Sequence, residues 1–130
     1  MTLKEFYTNI GGSFDVMLSR FLDENRIKKY VLMFKGDTTY QEMIQNIENG
    51  QLEVAFRNIH TLKGLAANLG FDDLFKASSA LTEILRNYSG QPYANELKTV
   101  RNEFEKVINY LKKREEKCNH QKQKLEIELL

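Results

Sequence analysis

The chain is poor in cysteine and proline, with one of each, and it has almost no net charge. A lone cysteine, Cys118, excludes an internal disulfide framework and a cysteine-rich metal site, and it fits a reducing compartment. No stretch approaches the roughly 18 uncharged apolar residues needed to span a bilayer. The start, Met1-Thr2-Leu3-Lys4-Glu5-Phe6, lacks the apolar run of a secretory leader. Lys and Arg number 19 against 18 Asp and Glu, a balance of +1. No strong field therefore draws the chain to nucleic acid or to an anionic membrane. What is present is 130 residues, 42% hydrophobic and 28% charged. That length and composition suit one globular domain with a real core, expected in the cytoplasm.

Glycine supplies the punctuation. Gly11-Gly12, Gly36, Gly50, Gly70 and Gly90 fall between apolar-periodic stretches, where helix-ending glycines belong. Pro92 is placed to start a helix, where its missing N–H costs nothing. The intervals read as helices. Thr2–Ile10 is short and amphipathic. Ser13 is read as the cap of a helix carrying Val16, Met17, Phe21 and Leu22. A third, from Glu24 or Asn25, carries Ile27, Tyr30, Val31 and Phe34. A fourth, from Asp37, Thr38 or Thr39, carries Tyr40, Met43, Ile44 and Ile47. Residues 51–69 sustain a spacing of three and four through Leu52, Ala55, Phe56, Ile59, Leu62, Ala66 and Leu69. Asp72 and Asp73 sit in the first turn of the next helix, at the positive end of its dipole, and Leu74, Ala77, Leu81, Ile84 and Leu85 follow. The last helix carries Leu97, Val100, Phe104, Val107, Ile108 and Leu111. Period-2 alternation is confined to the short terminal stretch Leu125–Leu130.

This pattern predicts an all-α fold. The four longer helices after Asp37 are joined by short loops, which make antiparallel neighbours, so an up-down-up-down four-helix bundle is the economical packing. The expected domain spans 1–117, with short helices in 1–36 capping a bundle over 37–117. Residues 118–130 read as a polar, solvated tail.

One place breaks the pattern. At 100° per residue, His60 lies about 130° from the centre of its helix's apolar arc, so it faces water. Lys63 follows at i+3, Gly64 at i+4 and Ala67 at i+7 on the same stripe. Gly64 costs the helix about 1 kcal/mol relative to alanine. Small neighbours leave the imidazole clear for something large to approach. An imidazole nitrogen can take a phosphoryl group and hand it on, and Lys63 supplies the cation such a group needs. Taken singly, each feature fits an ordinary surface helix; it is their combination that points to chemistry.

The run His60-Thr61-Leu62-Lys63-Gly64-Leu65-Ala66-Ala67-Asn68-Leu69-Gly70-Phe71 resembles the core of the histidine-containing phosphotransfer (HPt) domain family, H-x-L-K-G followed by L-G. Leu52 through Arg57 upstream and Leu74 through Glu83 downstream resemble its helices, and the likeness extends over about residues 25–113. Ile10-Gly11-Gly12 before a helix resembles free-standing bacterial members. The resemblance implies that His60 is the phosphoacceptor, that Lys63 neutralises the phosphoryl oxygens and that Gly64 leaves room for a partner's aspartate and its metal. It also implies partner contacts at Ala67 and Asn68. Many members place a glutamine that bonds the active imidazole where this chain has Thr82, with Arg86 one turn on; Thr82 is expected to donate a hydrogen bond and lie at the partner surface, and Arg86 to act as a second cation or a partner contact.

The chain lacks the G-x-x-x-x-G-K-[ST] loop and the kinase-type glycine loop. It is therefore expected to be a carrier rather than an enzyme with its own ATP site. The resemblance implies that receiver domains of response regulators or hybrid sensor histidine kinases supply and accept the group, with Mg²⁺ held by the receiver and no cofactor bound by this chain. A monomer is expected. Cys118 and His120 are too few ligands for a metal, and the basic residues form no stripe for nucleic acid. The competing reading is a helical adaptor that docks on a receiver or kinase without accepting phosphate.

Overall fold

The computed structural model describes the backbone of residues 1–129 and the side chains of residues 1–113. Among them the chain is all-helical, with no strand. The elements are α1 (Leu3–Asn9), α2 (Phe14–Phe21), α3 (Glu24–Lys35), α4 (Thr39–Glu48), α5 (Leu52–Leu69), α6 (Asp72–Leu85) and α7 (Ala94–Leu129). The backbone of α7 continues through 118–129, the stretch read as a tail. The apolar residues near the chain end, Cys118 and His120 lie outside the described side chains, and Leu130 lies outside the described residues altogether.

The helices pack as a bundle in which α4 lies against α5, α5 against α6 and α6 against α7. Tyr40 of α4 stacks on Phe104 of α7, ring centres 4.0 Å apart and 16° from parallel. The three-and-four spacing of α5 buries Ala55, Ile59, Leu62, Ala66 and Leu69. Gly70 ends α5 with φ +70°, a left-handed cap that glycine adopts without strain. Asp72 and Asp73 occupy the first turn of α6 as expected.

The N-terminal helices go deeper than a cap. Phe6, Tyr7, Ile10, Met17, Ile27 and Val31 share one continuous core with the later helices. Phe6, Tyr7, Phe34 and Phe71 meet in edge-on and tilted ring contacts with centres 5.3–6.0 Å apart.

Local details depart from the sequence reading. The Ser13 hydroxyl does not cap α2; it donates to the Asp72 carboxylate and ties the start of α2 to the start of α6. Val16 and Leu22, read as core, are exposed, Leu22 by 85%. Helix α2 has only eight residues and stops with Leu22 in the left-handed region; Met17 is its fully buried residue, while Phe14, Leu18 and Phe21 pack partly against the core. Tyr30 is also exposed. Pro92 precedes α7 rather than starting it.

Candidate functional site

The long helix α5 presents His60 to solvent while Ile59 and Leu62 beside it are buried. The placement follows from the 100° step, since the residue after a buried isoleucine turns off the core face. Among the described residues the imidazole makes no hydrogen bond; its one ring neighbour is Phe56, at i−4, with centres 6.1 Å apart and tilted by 53°. Both ring nitrogens are therefore free to meet an incoming group.

Lys63, one turn on, is half-buried. Its ammonium lies 5.9 Å from the centre of the Phe75 ring of α6, and no carboxylate pairs with it among the described residues. Its charge is held by an aromatic face and is not neutralised. Gly64 is exposed, and a Cβ placed on it would meet nothing within 4 Å among the described residues. No close helix packing requires this glycine. The space in front of it belongs to solvent or to a partner.

Ala67 is half-buried and its carbonyl accepts a hydrogen bond from Arg20 Nη1 at 3.0 Å. Asn68 is exposed and, with Arg20, Tyr30, Met33 and Leu65, lines a hollow of about 610 Å³ between α5 and the α2–α3 pair. Arg86 is exposed; its guanidinium carbon stands 5.3 Å from the centre of the Phe56 ring, and its Nη2 is 3.4 Å from Glu83.

Thr82 is placed differently from the sequence expectation. It is fully buried, and its hydroxyl donates to the Ser78 carbonyl at 2.6 Å, so its side chain offers nothing to a docking partner. Ala77, Ser78, Leu81, Thr82 and Leu85 form the buried face of α6, and Thr82 falls within that arc, eight residues after Leu74. The periodicity of α6 carried this signal, which matching Thr82 to the family's glutamine position does not read. Sequence reasoning also missed Phe56, Phe75 and Arg20. Only Phe56 was visible locally, through its i−4 spacing from His60.

A family model described as the Hpt domain matches residues 16–110. The chain belongs to the Hpt domain family. Membership implies histidine phosphotransfer within phosphorelay, two-component signalling, a role performed with receiver domains and kinases. Hpt domains carry phosphoryl groups and have no ATP site of their own. Comparisons with curated proteins and with solved structures gave no match. Among the described residues, no cluster of three or more His, Cys, Asp or Glu is arranged to hold a metal, and no helix is long and apolar enough to cross a membrane. The Hpt match begins within α2 and leaves α1 outside it.

Proposed function

We propose that His60 is the phosphoacceptor of a phosphorelay carrier. A receiver domain docks over the His60 face with a phosphorylated aspartate. The His60 Nε2 lone pair attacks phosphorus, the P–O bond to the aspartate breaks, and the carboxylate leaves with the electron pair. The reverse step passes the group to the aspartate of a second receiver. Lys63 offsets the charge of the phosphoryl oxygens. Gly64 leaves room for the receiver's aspartate and the Mg²⁺ that the receiver holds. Ala67, Asn68 and Arg86 lie on the docking surface. The short α4–α5 and α5–α6 connections favour antiparallel neighbours, so an up-down-up-down course of α4 to α7 is part of this reading. The observation that carries it is the solvent-facing, unbonded imidazole with open space at Gly64 one turn away.

The test is incubation with a ³²P-labelled phosphorylated receiver domain. The expected result is label on this chain that is acid-labile, base-stable and lost in His60→Gln. Label that survives His60→Gln overturns the assignment. A chain that binds receivers and takes label from none is the non-phosphorylated adaptor.

A further inference from the structure

Two cations lie near α5, and each rests on a phenyl ring. Lys63 sits over Phe75 and Arg86 over Phe56. Phe56 is distinct because its ring also neighbours the imidazole, at 6.1 Å. One phenyl therefore links the acceptor on α5 to a guanidinium carried by the end of α6. The backbone favours this crossing. Helix α6 stops at Leu85, Arg86 turns to extended geometry (φ −67°, ψ 122°), and Asn87 takes a positive φ of 50°. Asparagine is among the few side chains that enter that region routinely.

We propose that Phe56 is a positioning residue of this site. Its face holds Arg86 beside His60 as a second cation for the phosphoryl group. The inference rests on the proposed role of His60. Arg86 also pairs with Glu83, 3.4 Å away, but the two side chains are 45% and 64% exposed, and ion pairs so open to water hold weakly. A carboxylate also quenches the charge it holds, whereas a ring face orients a guanidinium and leaves its N–H donors free. A phosphoryl group arriving on Nε2 would compete with Glu83 for those donors and would not compete with Phe56.

The experiment uses the full chain and phosphoramidate, a small donor that needs no docking partner. The Nε2 lone pair attacks phosphorus, the donor's P–N bond breaks, and ammonia leaves and takes a proton from the buffer. Loading is followed by ³¹P NMR in wild type, Phe56→Leu, Phe56→Tyr, Arg86→Ala and the Phe56→Leu/Arg86→Ala double variant. Thermal melts check that each is folded. Phe56→Leu and Arg86→Ala are each expected to slow loading about two- to five-fold, the range of a surface cation–π contact. The double variant should be no slower than Arg86→Ala alone, and Phe56→Tyr should load like wild type. Additive losses, or wild-type loading in Phe56→Leu, overturn the inference. A second readout does not depend on phosphate. Phe56→Leu should shift the NMR signals of both the His60 ring and the Arg86 Nε–H in the unphosphorylated chain. If neither moves, Phe56 does not position them. Wild type that resists loading while both signals move in Phe56→Leu counts against His60 as acceptor and leaves the positioning intact.

Discussion

A glycine inside an 18-residue helix costs about 1 kcal/mol relative to alanine, and among the described residues nothing lies within 4 Å of where a Gly64 Cβ would stand. Stability and docking therefore make opposite demands of this position. Gly64→Gln should raise the unfolding free energy by about 0.5 kcal/mol in urea titrations, since helix propensity improves and no clash arises. The same variant should slow phosphotransfer from a receiver domain at least about tenfold, because the new side chain stands where the partner must approach. Normal transfer in a stabilised Gly64→Gln removes the steric argument. Gly64, His60 and Lys63 were legible in the sequence because they share one helix, on which fixed angular steps place them together. The Arg86–Phe56 contact was not legible, because it depends on how the end of α6 registers against α5. Thr82 was misread for a related reason. A count along the chain gives a residue's turn, and its face follows only from the apolar pattern of its own helix.

Between elements, Tyr7 ties α1 to the end of the helix bearing the site. Its hydroxyl donates to the Leu69 carbonyl at 2.7 Å, one of the carbonyls that the end of α5 leaves without an intrahelical partner. Burial, and then the charge of Asp72, hold the Tyr7 hydroxyl well above the usual tyrosine range. A group whose folded value is raised contributes stability that is fully present below its unfolded value, about 10 for tyrosine, and is lost as pH rises from there toward the folded value. Tyr7 alone adds a decline of up to about 1.4 kcal/mol per pH unit across that alkaline window. Tyr7→Phe should lower stability at neutral pH by about 1–2 kcal/mol, through the unpaired Leu69 carbonyl. It should also flatten the decline above pH 10, as read from urea titrations at stepped pH. Parallel alkaline slopes in the two proteins would show that Tyr7 ionises as freely folded as unfolded. The helices of this region were legible from glycine placement and periodicity. The bond from Tyr7 to Leu69, 62 residues away, was not, and neither was the tie from Ser13 to Asp72. Each is a single polar contact that leaves no periodic trace.

Over the whole molecule, the family match and the core have different boundaries. The match covers residues 16–110, yet Phe6, Tyr7 and Ile10, all N-terminal to it, are essentially inaccessible to solvent. Fully burying a side chain of this size contributes about 1.5–3 kcal/mol, an upper figure because unfolded chains already hide part of that surface. Three of them together approach the ~5–15 kcal/mol of net stability that a domain has. Removing α1 would also uncover Phe71, whose ring packs on Phe6 and Tyr7 and in turn on Phe34. A fragment of residues 16–130 should therefore lose most of its cooperative thermal transition and bind a dye that reports exposed apolar surface. It should also accept phosphate poorly, although His60, Lys63 and Gly64 are all retained. The physical reason is that α5 holds its face toward solvent only while the shared core is intact, and residues before the match bond the end of α5 at Leu69 and pack on Phe71 just beyond it. A fragment that melts as sharply as the full chain, within a few degrees of it, would place the stabilising core within the matched span and make α1 an addition to a bundle already complete.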